Sequence, residues 1–134
     1  MRRFLAPYES YAYALLRLVA GLMFAMHGTR KLLGWPGDGK TATAALSITA
    51  GWIEIVCGVL IAAGFLTGWA AFLASGTMAV AYFKAHAPDG FWPIVNRGEL
   101  AVLYCFLWLY IASRGGGWKS TRRGSTSPSA SSRE

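Results

Sequence analysis

Residues 42–83 read ATAALSITAGWIEIVCGVLIAAGFLTGWAAFLASGTMAVAYF, and only Glu54 among them is charged at neutral pH. A helix on the surface of a water-soluble protein of this size needs a polar face. Neither side of the GFLTGW break at residues 64–69 can supply one. What remains is a pair of apolar helices joined by a tight hairpin. Each is near the ~20 residues that cross a bilayer, where the backbone satisfies its polar groups only as helices or closed barrels.

Working outward, two more apolar segments flank this pair. The four run over about Tyr11–Leu33, Ala44–Leu66, Gly68–His86 and Arg97–Ser113. The expected fold is all-α, a four-helix transmembrane bundle over residues 11–114. Residues 1–10 form a short N-terminal cytoplasmic segment, and residues 115–134 a basic cytoplasmic tail without structure. Two longer loops, GWPGDGKTAT at 34–43 and APDGFWPIVNR at 87–97, fall on one side of the bundle, opposite the hairpin and both termini. The start, MRRFLAPYESYAYALLRLVA, has the basic opening of a signal peptide, but Glu9 and Arg17 interrupt its apolar part, so it reads as an uncleaved first span.

The whole chain of 134 residues is 54% hydrophobic and 14% charged, against about 25% charged in an ordinary soluble domain. The net charge of +7 comes from cations at the ends of apolar runs, five of the 13 Lys and Arg following Ser113. That is membrane usage, and nucleic acid is not an expected partner. Seven basic residues lie on the terminal side and five on the loop side, with Arg17 inside a span. The bias places both termini in the cytoplasm and the two long loops outside. The tail KSTRRGSTSPSASSRE, residues 119–134, has little to pack. Cys57 and Cys105 match no zinc or redox spacing and read as small buried hydrophobes. Gly34–Thr41, GWPGDGKT, fits the phosphate-loop pattern letter for letter. That pattern works only between a strand and a helix; here it follows a span, so ATP is not expected.

Ionisable groups inside spans are rare and usually functional. This chain has Arg17, His27 and Lys31 in the first span, Glu54 in the second, His86 closing the third and Glu99 opening the fourth. Arg17 and Glu54 ride beside glycines spaced seven apart, Gly21 and Gly28 on one helix, Gly51 and Gly58 on the other, which lets the helices approach and turns both charges inward. Side chains lean toward their helix N-terminus, so His27 leans inward and Glu54 outward. A His27–Glu54 hydrogen bond is the expected contact, with an Arg17–Glu54 pair as a longer-reach alternative. His86 ends a stripe Ser75, Met78, Tyr82, His86. The expected site is a polar pocket near the outer surface lined by His27, Lys31, Glu54, His86 and Glu99, covered by loops carrying Trp35, Phe91 and Trp92. Plainer readings exist: Lys31, Lys84 and Arg97 as interfacial anchors, Glu99 as an acid at a helix N-terminus, Glu54 in a structural ion pair.

The segments LLRLVAGLMFAMHGTRKLLGW (15–35), GWIEIVCGVLIAAGFLTGWAAFLASGTMAVAYFKAH (51–86) and GFWPIVNRGELAVLYCFLWLYIASRGGGWKS (90–120) together resemble the DoxX family. The resemblance covers about residues 11–120. It implies a four-span inner-membrane protein linked with membrane redox chemistry, one branch being associated with thiosulfate oxidation coupled to quinone reduction. The family's polar positions fall on Arg17, His27, Gly28, Lys31, Glu54, His86 and Glu99. The family often follows its last span with an Asp that GGGWKSTRR lacks. The expectation is a redox-associated subunit without an intrinsic cofactor, in which His27 and Glu54 exchange protons with a quinone and Lys31 or Arg17 stabilises its anionic form. Arg17, Lys31, His86 and Glu99 bind the substrate, and electrons come from a membrane or soluble redox partner. The alternatives are a small proton-coupled transporter and a non-enzymatic scaffold.

Overall fold

The computed structural model describes residues 2–116, with side chains from Phe4 onward. Four long helices make the fold: α1 Glu9–Leu33, α2 Ala45–Ala63, α3 Thr67–Ala81 and α4 Glu99–Arg114, with no strand among the described residues. The all-α four-helix bundle expected from the sequence is the observed architecture. The helical run Ala6–Leu33 and the helix Ala45–Ala63 are each long and apolar enough to cross a membrane. Helices α3 and α4 have 15 and 16 residues. A π turn over Tyr82–His86 and a 3-10 turn over Ala87–Asp89 prolong α3.

The boundaries differ from the sequence reading in three places. Residues before Tyr11 are not a separate segment: a short helix Arg2–Leu5 and a 3-10 turn Ala6–Tyr8 lead into α1 without a break. Pro7 permits this because it stands in the first turn, where its missing N–H has no partner to lose. The second helix stops at Ala63 and not Leu66, because Gly64 takes the left-handed conformation (φ 78°) that closes a helix cheaply only without a Cβ. Leu66 is also left-handed (φ 47°), and the chain reverses within Gly64, Phe65 and Leu66. The regular part of the third helix ends at Ala81, not His86. The tail from residue 117 lies outside the described residues.

Between apolar helices in lipid, close packing and polar contacts hold the bundle, because acyl chains are as apolar as Leu. The contacts follow that rule. A Cβ built on Gly21 would stand 2.6 Å from the Gly58 carbonyl oxygen, and one on Gly58 would stand 2.5 Å from the Gly21 carbonyl oxygen. A Cβ on Gly28 would run into the Gly51 carbonyl oxygen, while one on Gly51 would meet the Leu32 side chain at 3.0 Å. The two glycine pairs therefore face each other in antiparallel register and lock α1 on α2. Small buried residues, Ala70, Ala71, Ala74 and Ser75, do the same for α3 on α4, where Ser75 Oγ donates to the Cys105 carbonyl at 2.8 Å. Aromatic side chains span α1 to α4: Phe24 meets Trp108 edge-on at 5.2 Å, and Trp108 stacks on Tyr104 at 5.4 Å. Large apolar side chains point outward from every helix, among them Leu22, Val56, Phe72 and Phe106. Soluble monomers rarely expose contiguous apolar surface beyond a few hundred Å²; this exterior matches acyl-chain solvent.

Candidate functional site

The glycine contacts fix the rotation of α1, and the rotation decides which basic group meets Glu54. At about 100° per residue, Lys31 lies ~60° round from the Gly28 face and His27 ~100° round in the same direction. Lys31 is thus nearer α2, and its stem leans inward while Glu54 leans outward. Lys31 Nζ lies 2.5 Å from Glu54 Oε1. The Glu54 side chain is 1% exposed and that of Lys31 33%. The second carboxylate oxygen, Oε2, is buried and has no hydrogen-bond partner among the described residues. His27 turns its ring edge toward Tyr104 on α4, ring centres 6.1 Å apart, within electrostatic reach of both Glu54 and Lys31.

Lys31 also lines a groove of about 930 Å³ between α2 and α3. One wall carries Ser47, Ala50 and Ile53 of α2, and the other Phe72, Leu73, Gly76 and Val80 of α3. Lys31, Lys84 and His86 gather at its loop end. His86 sits in the π turn, with Nδ1 3.1 Å from the main-chain carbonyl of Asn96. Asn96 is itself buried and ties the loop together: its Nδ2 donates to the Gly90 carbonyl at 2.6 Å, and its Oδ1 accepts from Gly98 N–H at 2.8 Å.

The opposite end of the bundle has its own cluster. Arg17 donates from Nη1 to the Gly116 carbonyl at 3.0 Å and lies over the Tyr13 ring at 5.2 Å. A Cβ on Gly64 would meet the same guanidinium at 3.0 Å. The cation therefore stands where α2 and α4 end, beside carbonyls that carry the negative ends of two helix dipoles. Tyr13 donates to the Gly115 carbonyl at 2.6 Å, and Arg114 pairs with Glu9 at 2.6 Å, closing α1 on α4.

The chain matches the DoxX family over residues 12–87. It belongs to the DoxX family. A relative in Haemophilus influenzae, described as an uncharacterized protein, is 45% identical over 121 residues, which cover 84% of this chain and 90% of the relative. No solved structure matches the chain. Family membership and the apolar exterior identify a DoxX membrane protein.

Within this DoxX protein the expected five-residue pocket is not assembled as one cavity. Lys31, not His27, holds Glu54, for the rotational reason above. Arg17 is no partner of Glu54: it contacts Gly64, ten positions or ~15 Å further along α2 at 1.5 Å per residue. Glu99 is exposed in the first turn of α4, the dipole-favoured position for an acid, and does not line the groove. His86 makes no contact with the Lys31–Glu54 pair among the described residues and shares with Lys31 only the lining of the groove. Trp35, Phe91 and Trp92 are exposed and do not cover the groove. The phosphate-loop look-alike follows α1, with Gly34 as its left-handed cap, and Lys40 lies 3.4 Å from Asp38. Sequence reasoning missed Tyr104 and Asn96. The spacing Ala101, Tyr104, Trp108, Ile111 marks an inward face on α4, so Tyr104 was findable. Asn96 left no periodic signal in its loop.

Proposed function

We propose that this DoxX protein is a redox-associated subunit of a bacterial-type inner membrane that binds a quinone at the end of the α2–α3 groove lined by Lys31, the partner of Glu54. The observation that carries the reading is Glu54: a carboxylate 1% exposed, one oxygen held by Lys31 at 2.5 Å, the other free of any partner among the described residues. Burying an acid with half its acceptor capacity unused is costly unless another group uses it. Reducing a quinone to a quinol takes two electrons and two protons. A redox partner protein supplies the electrons. Glu54, which does not itself line the groove, exchanges a proton with the bound ring through Lys31, His27 lies beside the pair as a proton-carrying neighbour, and Lys31 favours the anionic form of the head group. The excess of basic residues on the terminal side supports four spans with both termini in the cytoplasm and the two long loops outside.

The test is extraction of quinone from protein purified in mild detergent, followed by a quinol-coupled assay of Glu54→Gln with the native membrane fraction. Co-purified quinone and a rate at least about tenfold lower in the variant are expected, the size of a lost proton-transfer group being about 10²–10⁴ at most. Quinone-free protein with an unaffected Glu54→Gln variant rejects the reading. Proton-coupled uptake by proteoliposomes would then assign the same acid to transport.

A further inference from the structure

His86 is held by more of the fold than its place at a helix end requires. The π turn over Tyr82–His86 changes the direction in which residues after Tyr82 project, and such turns are frequent at functional sites. Asn96 then fixes the loop through Gly90, Gly98 and Tyr82, whose hydroxyl it meets at 3.3 Å and which donates in turn to the Phe91 carbonyl. The carbonyl of the same Asn96 receives His86 Nδ1. A carbonyl can only accept, so Nδ1 carries the proton. In the neutral ring Nε2 therefore keeps a lone pair, and no group among the described residues takes it.

We infer that the groove between α2 and α3 is the binding site of a hydroxyl-bearing amphiphile, with His86 Nε2 accepting a hydrogen bond from its polar ring and Lys31 meeting the ring from the other wall. The identity of the ligand, a quinol, rests on the proposed function; the site and the role of His86 rest on the geometry. An anionic lipid phosphate fits less well. It offers only acceptors, which the lone pair of Nε2 repels. The groove volume of about 930 Å³ exceeds what a ring needs and lies at the upper end of ~300–1,000 Å³ for ligand pockets. Its Ile53, Phe72, Leu73 and Val80 wall suits the start of an isoprenoid tail.

The experiment is equilibrium binding of tritiated decylubiquinol to the full chain in detergent, with melting temperature recorded for each variant. His86→Asn keeps a side-chain donor for the Asn96 carbonyl but places nothing at Nε2; affinity is expected to fall about tenfold, the scale of one hydrogen bond. Gly76→Phe blocks the groove without a core clash, since a Cβ there meets nothing within 4 Å; binding is expected to be lost at an unchanged melting temperature. Wild-type binding that both variants retain overturns the groove assignment and leaves the quinone reading standing. No binding by the wild type overturns both. Phosphatidylglycerol that displaces decylubiquinol equally well from wild type and His86→Asn gives the groove to lipid and overturns the role of His86.

Discussion

Replacing Lys31 by Met tests the centre of the bundle most directly. The substitution nearly preserves side-chain length and removes the charge, leaving the Glu54 carboxylate, 1% exposed, with neither oxygen partnered. Breaking a buried pair from one side costs about 3–5 kcal/mol, and the lower end applies because Lys31 is itself 33% exposed and partly solvated. Glu54→Gln is the unequal mirror experiment. It removes the buried charge and leaves an amine whose long stem can carry it to water, so about 1 kcal/mol is expected. The double variant holds no charge in the core and should fall within about 1 kcal/mol of wild type, since neutral replacements of buried pairs are often tolerated. The cycle then gives a coupling of about 3 kcal/mol. Unfolding in mixed micelles, followed by alkylation of buried Cys57, measures all four proteins on one scale. Additive effects, or a Lys31→Met variant more stable than Glu54→Gln, would refute the claim that Lys31 is what keeps Glu54 in the bundle.

Two further substitutions test the frame around that pair. Gly58→Leu drives a side chain against the Gly21 carbonyl and the Ala25 N–H, at 2.5 and 2.7 Å from its Cβ, and should cost the top of the ~1–3 kcal/mol overpacking range or more; the same unfolding assay reads it, and an unchanged midpoint would mean α1 and α2 do not cross there. Arg17→Met loses the charged hydrogen bond to Gly116 and the cation at two helix ends, about 1.5–3 kcal/mol. It should lower the melting temperature while leaving decylubiquinol affinity intact, and a loss of affinity without a loss of stability would return Arg17 to the binding site.

The bundle was legible because lipid leaves few ways to bury a backbone, and because glycines seven apart mark a helix face whatever the partner. Gly21 and Gly28 on α1, and Gly51 and Gly58 on α2, were read as contact faces and do meet. The site was legible only as far as helical phase and depth could be counted on one helix at a time. Depth brought His27 level with Glu54, but the few tens of degrees between His27 and Lys31 on α1 decide which reaches α2, and that angle belongs to the helix pair. Arg17 failed on depth, standing by the ends of α2 and α4 instead of beside the acid. His86 lines the groove, and what holds it there was not announced by the residues. The row Ser75, Met78, Tyr82, His86 assumes 3.6 residues per turn throughout. Ser75, Met78 and Tyr82 are buried as that row requires, and the backbone widens into the π turn after Tyr82. His86 still stacks on Tyr82, ring centres 6.4 Å apart, while the loop carbonyl of Asn96 holds its Nδ1. A histidine held by a π turn and a loop carbonyl, on a groove that Lys31 also lines, is a position that periodicity cannot produce by itself.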